Sequence, residues 1–219
     1  MKRILPSYPL WVIDPNFSVW SPYDELNGGD PQLWTGFTRR TYGFVRANGT
    51  TYCFLGKRDG AVSLEQTSVN VTAFGTEYHF AGKGFTLNVT FISPLMPNDL
   101  KRLSCPVCYT EYEAEFEGET PEDFSVSLAL DEEYCYNLER AEIAGGVLPL
   151  DGYEAAFMTR KRNLVMSNAD DIVAADWGDT YLAGEESFFI TETALNRYVS
   201  EGRMEYLRRD HERSYIFSL

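Results

Sequence analysis

Residues 40–55 read RTYGFVRANGTTYCFL, from Arg40 to Leu55. Two short runs rich in Tyr, Phe, Val and Thr flank the dipeptide Asn48-Gly49. Side chains of this kind suit a pleated, half-buried surface. Asn and Gly both tolerate the positive φ that a two-residue type I′ turn requires, so 40–47 and 50–55 are predicted to form a β-hairpin. No other local signal in the chain is as clear.

Working outward, the same pattern recurs on both sides. Downstream, strands are expected over 63–73, 76–80 and 85–92, with turns at Gly75 and at 81–84. In the third, Leu87, Val89 and Phe91 alternate with Thr86, Asn88 and Thr90. Over 107–116, Glu111, Glu113 and Glu115 share one face and Tyr112, Ala114 and Phe116 the other, which describes a strand with one wet face. Over 124–130, Phe124, Val126, Leu128 and Leu130 are predicted to point inward. Upstream, 1–10 reads as an extended lead-in, Asp14-Pro15 as a turn and 17–20 as a strand stopped by Pro22. Residues 23–38, with Gly28, Gly29, Asp30 and Pro31, read as a long loop carrying Trp34. Beyond 131 the candidates are strands at 154–159, 180–182, 187–191 and 214–219. A helix is expected over 192–200, with Leu195, Tyr198 and Val199 at helical spacing and Gly202 just past its end.

Many short strands and no alternation with helices predict an all-β fold: an antiparallel β-sandwich, supersandwich-like, with one or two short helices. Two parts are expected, 1–110 and 111–219, sharing one core, with the second cut short at its C-terminal end.

The 219 residues carry 19 Lys and Arg against 33 Asp and Glu, a net charge of −14. Such a surface repels phosphate backbones and anionic lipid, so neither nucleic acid nor membrane is an expected partner. No apolar run is long enough to span a bilayer. Lys2 and Arg3 precede Pro6 and Pro9 rather than an apolar stretch, so no secretory leader is read and a cytoplasmic location is expected. The sequons at Asn16, Asn48, Asn70 and Asn88 are then read as turn and strand composition.

Chemistry-bearing clusters are few. Cys105-Pro-Val-Cys108 precedes a strand, whereas a redox Cys-x-x-Cys opens a helix. Cys53 and Cys135 do not supply the second close pair that zinc would need, so four buried, reduced thiols are expected. His79 lies mid-strand and His211 in the charged run 208–213, and no nucleophile motif accompanies either. Asp131, next to Glu132 and Glu133, and Asp170, Asp171 and Asp176 form acidic clusters that could hold calcium or do acid–base work. In a chain with 33 acids, such clusters also arise by chance. No metal, cofactor or catalytic residue is assigned. Trp34 could stack on a sugar or pack against a neighbouring domain, and large aromatics favour the second. Trp11, Trp20 and Trp177 sit in apolar stretches.

Several stretches resemble the glutaminase A family of fungi and bacteria. They are PLWVIDPNFSVWSP (Pro9–Pro22), WTG (Trp34–Gly36), YGFVRANGTTYCFLG (Tyr42–Gly56), FISPLMPNDLKRLSCPV (Phe91–Val107) and DWGDTYLA (Asp176–Ala183). The resemblance implies a β-rich N-terminal region that precedes a helical toroid. The toroid would hydrolyse the side-chain amide of glutamine, in an architecture that also looks like that of glycoside hydrolases. No catalytic residue carries over, and the toroid is expected to lie outside this chain. The expected role is therefore a non-catalytic accessory domain that stabilises or borders a helical catalytic partner. Asp14, Trp34 and Trp177 are the interface or ligand candidates. The alternative is a carbohydrate-binding module that uses exposed aromatics.

Overall fold

The computed structural model describes residues 5–137, 139–163, 178–204 and 212–219. Its first strands are β1 (Tyr8–Asp14), β2 (Phe17–Ser21), β3 (Gln32–Leu33), β4 (Thr41–Ala47), β5 (Thr50–Leu55) and β6 (Val62–Ser63). Then come β7 (Glu65–Val71), β8 (Gly75–Gly82), β9 (Phe85–Ile92), the short helix α1 (Leu100–Leu103), β10 (Tyr109–Phe116) and β11 (Ser125–Asp131). A 3₁₀ turn over Glu132–Cys135 leads to β12 (Ile143–Pro149), β13 (Glu154–Arg160), β14 (Asp179–Gly184), β15 (Ser187–Thr191), α2 (Glu192–Glu201) and β16 (Ser214–Ser218).

The predicted hairpin is β4–β5. Ala47 pairs with Thr50, and Asn48 and Gly49 have φ of 51° and 74°, the positive values a type I′ turn needs. The hairpin lies inside a six-stranded sheet of order β15-β16-β11-β4-β5-β6, antiparallel except for β5–β6. Its alternation sorts side chains between two layers. Val45, Leu128, Leu130 and Ile216 face a core shared with Tyr78, Phe80, Leu87, Val89 and Phe91 of the four-stranded sheet β10-β9-β8-β7. Tyr42, Phe44, Ala129, Tyr215 and Phe217 face the other way, onto α2. The all-β sandwich of the sequence reading is therefore present, with a helix laid on its outer side.

Helix α2 presents Ala194, Leu195, Tyr198 and Val199 to that second core. Each large apolar side chain so buried contributes about 1.5–3 kcal/mol. Tyr198 OH also lies 3.0 Å from Ser127 Oγ, which pairs an otherwise buried hydroxyl of β11. The helix ends at Gly202, whose N–H donates to Tyr198 O at 2.8 Å. Two further three-stranded sheets, β1-β2-β3 and β12-β13-β14, extend the first core with Leu10, Trp11 and Val19 and with Ala156 and Met158.

Several expectations need correction. The lead-in over 1–10 already pairs from Tyr8, because Leu10 and Trp11 bury against the four-stranded sheet. Strand β12 was not foreseen, since Gly145, Gly146 and Pro149 disfavour strands. The backbone at Gly145 is approached so closely by Phe157 O and the Phe189 ring that a Cβ would lie 2.5 and 2.6 Å from them, so glycine is what lets β12 pack there. Tyr112 shares the inner face with Ala114 and Phe116 and packs on the Phe54 ring, but at the sheet edge it stays 37 % exposed. Among the cysteines, Cys53 and Cys135 are buried, Cys108 is half-buried and Cys105 is exposed. Burial pushes the thiols of Cys53 and Cys135 up to about 12.

Candidate functional site

Asp14 and Trp34, the two described interface candidates, come together at one corner of the β1-β2-β3 sheet. Asp14 ends β1, and its carboxylate accepts from Asn16 N–H at 2.8 Å, tightening the turn into β2. Trp34 follows β3 in a turn closed by Gly36 N–H to Leu33 O and Leu33 N–H to Phe37 O, both 2.8 Å. Its own N–H donates to Ser18 O at 2.9 Å, and its indole N–H to Pro15 O at 2.7 Å. These two bonds hold the indole in place although 53 % of the residue is exposed. A shallow depression of about 320 Å³ lies beside it, lined by Val12, Asp14, Pro15, Trp34 and Leu95. Leu95 comes from the loop after β9, anchored where Val12 N–H donates to Ser93 Oγ at 2.8 Å. Leu95, Met96 and Leu100, all in the loop and helix that follow β9, are exposed large hydrophobics. Pro15 belongs to the Asp14-Pro15 turn already read from the sequence, but Leu95 was not singled out there; the motif around it gave no sign of which side chains would stay in water.

Of the other two described tryptophans, Trp11 is a core residue and Trp20 lies outside both cores. Trp11 is 5 % exposed, packs on Phe91 at 5.3 Å and donates its indole N–H to Thr110 Oγ1 at 3.1 Å. Trp20 is half-buried and donates to Ser18 Oγ at 2.9 Å. Trp177, the acids Asp170, Asp171 and Asp176, and His211 lie outside the described residues. His79 lies on the outer face of β8, where Nδ1 meets Asn88 Oδ1 at 2.6 Å rather than a hydroxyl or thiol.

Asp131 sits at the end of β11, fully buried. The acids beside it do not converge on an empty point; they are threaded by arginines. Arg213 Nη1 donates to Asp131 Oδ1 and Glu133 Oε1, both 3.1 Å. Glu133 also binds Arg40, and the buried Glu132 accepts from Arg140 Nε at 2.6 Å and Ser214 N–H at 2.8 Å. No group of three or more His, Cys, Asp or Glu among the described residues is placed to hold a metal ion. Burial, then the charge of Glu133, pushes the Asp131 carboxyl up to about 6, against the Glu133 N–H and Arg213. Burial also opposes the charge on Arg213, but Asp131 and Glu133 outweigh it there and raise its pKa. The two fit together because Arg213 keeps a third of its side chain in water while Asp131 keeps none, so the cost of desolvation falls on the carboxylate.

The network opens on a groove of about 420 Å³ between β4, β16 and the first turn of α2. Arg58 reaches it from the segment after β5. It lies over the Tyr42 ring at 5.2 Å and binds Glu192 and, at 2.6 Å, Asn196 Oδ1. Glu192 also accepts from Tyr215 OH. Glu212 binds Thr193 at both N–H (3.2 Å) and Oγ1 (2.7 Å), meeting the free amides of the helix start. Sequence reading found the acids at 131–133 but missed Arg213, 82 positions from Asp131, and Arg40, 93 positions from the Glu133 it binds.

No helix among the described residues is long and apolar enough to cross a membrane. The chain is similar to Glutaminase A of Aspergillus oryzae, 28% identical over 192 residues, which cover 83% of this chain and 27% of that protein. It thus spans about a quarter of the length of the curated relative it matches. No solved structure matches it. A family model described as a domain of unknown function (DUF4964) matches residues 3–66. A second, described as a domain of unknown function (DUF5127), matches residues 75–214. With well over half of its length under the second model, the chain belongs to the DUF5127 family.

Proposed function

We propose that this chain is a non-catalytic accessory β-sandwich of a glutaminase-like amidohydrolase, or of a glycoside-hydrolase-like enzyme, and that it stabilises or borders a helical catalytic domain. The observation that carries this reading is Trp34, which is locked by two hydrogen bonds and yet leaves half its surface in water beside Asp14, Pro15 and Leu95. A rigid, exposed aromatic beside a mostly apolar depression is the anatomy of an interface anchor. The likeness to 27% of a glutaminase A supports a larger assembly in which the remaining length supplies the partner. His79 is engaged with Asn88, and the raised thiols of Cys53 and Cys135 are poor nucleophiles, which supports placing the chemistry elsewhere.

The test is to produce the helical region of a glutaminase A separately and measure its binding to this chain. Trp34→Ala should weaken binding at least tenfold while leaving the thermal midpoint of the isolated chain within about 2–3 °C, as expected for a surface truncation. Turnover of glutamine at enzymatic rates by the chain alone, or undiminished binding of the variant, would refute the proposal. The exposed indole also favours a second reading, in which it stacks on a sugar ring. A glycan screen in which the parent chain binds and Trp34→Ala does not would select that reading instead.

A further inference from the structure

The groove at the start of α2 plays no part in the docking face, and its chemistry is specific. Three guanidinium groups, from Arg40, Arg58 and Arg213, line it together with the carboxylates of Glu192 and Glu212, and Arg58 is itself paired to Glu192. Arg40 and Arg213 each reach their carboxylates through Nη1 alone. Their remaining N–H donors therefore have no hydrogen-bond partner among the described residues, although Arg40 and Arg213 keep only about a third of their side chains in water. A guanidinium edge in this state matches a carboxylate in two parallel hydrogen bonds.

Charge decides which carboxylate. Three arginines stand against Glu192, Glu212 and, just behind the wall, Asp131 and Glu133. A simple anion would add to the excess of negative charge, and a simple cation would meet the three guanidiniums. A small molecule that carries one charge of each sign leaves the balance untouched and has a partner for each kind of charged group in the groove. At about 420 Å³ the groove falls within the roughly 300–1,000 Å³ range of small-molecule sites. We propose that this groove binds a free α-amino acid, its carboxylate on the unused edges of Arg40 and Arg213 and its ammonium toward Glu192 and Glu212. The site would act as an effector or delivery site on the accessory sandwich. It does not depend on the docking face, and its failure would leave that reading untouched.

Isothermal titration of the 219-residue chain tests the proposal, with L-glutamine and glycine as probes. Acetate, n-butylamine and inorganic phosphate serve as single-charge controls. The amino acids should bind saturably at one site, with each control at least tenfold weaker. Arg40→Lys keeps the positive charge next to Glu133 but loses the planar fork, so it should weaken amino-acid binding at least tenfold with an unchanged thermal midpoint. Arg40→Gln, checked for folding by circular dichroism, should weaken it further. Absence of binding by both amino acids would overturn the proposal. So would acetate or phosphate binding as tightly as glycine, or undiminished binding by Arg40→Lys.

Discussion

Replacing Asp131 by Asn should stabilise this protein at neutral pH, although Asp131 is ion-paired. The carboxyl is fully buried, and its pKa of about 6 lies roughly two units above the ordinary carboxylate value, a difference worth about 3 kcal/mol. The group thus favours the folded state when protonated. The stability it contributes is complete below pH 4, the value in the unfolded chain, and is lost as pH rises through about 6. Asn reproduces the protonated form. Its amide oxygen keeps the positions that accept Glu133 N–H at 2.9 Å and Arg213 Nη1 at 3.1 Å, and only the 3.4 Å contact to Oδ2 is lost. Arg213 retains Glu133 at 3.1 Å, so its charge is not left alone. Removing one partner of a buried pair commonly costs about 3–5 kcal/mol, but that cost arises when the other partner is stranded, which does not happen here. The expected gain at pH 7.5 is about 1–3 kcal/mol, or roughly 3–9 °C in thermal midpoint for a chain of this size. Urea denaturation at pH 4.5, 6.0 and 7.5 reads both parts of the claim, since the gain should shrink toward pH 4.5. A variant more than about 2 kcal/mol less stable than the parent at pH 7.5 would show that attraction to Arg213 outweighs desolvation, and the reasoning would fail.

Arg213→Met strands the fully buried Asp131, while Glu133 keeps Arg40, and should destabilise the fold by about 3–5 kcal/mol in the same assay. Asp123→Ala removes the carboxylate that accepts Asn48 N–H at 2.8 Å and Gly49 N–H at 2.7 Å; because Asp123 keeps over a third of its side chain in water, the loss in urea denaturation should be only about 0.5–1 kcal/mol. Tyr198→Phe leaves the Ser127 hydroxyl without its 3.0 Å partner beneath α2 and should cost about 1–3 kcal/mol in thermal unfolding. Brief alkylation of the native chain with iodoacetamide, read by mass spectrometry, should mark Cys105 and spare Cys53 and Cys135, whose thiols are buried and raised to about 12.

Where local chemistry is sufficient, the sequence was readable. Strand β15 and the starting residue of α2 lie where periodicity and the Gly202 stop predicted them. The alternation of β9 and of Phe124–Leu130 named the residues that fill the first core. It failed where a contact overrides propensity, as at Gly145, which reads as a strand breaker until the Phe189 ring is placed against it. Site residues followed the same division. Trp34 was legible as a large aromatic in a loop. That Pro15 O fixes its indole, and that Leu95 stands beside it from the loop after β9, was not.

By itself the amino-acid order determined an all-β sandwich, its hairpin and a helix near the C-terminal end. A period of two or of 3.6 and an Asn-Gly turn are written in neighbouring residues. Only the tertiary structure decided that the helix covers the outer face of the six-stranded sheet, and that the acids at 131–133 are met by Arg40, Arg140 and Arg213 rather than left open. Those partners approach through folding of β4 and β16 onto β11, and the charge of a buried carboxylate depends on what arrives beside it in space, which one-dimensional spacing does not encode.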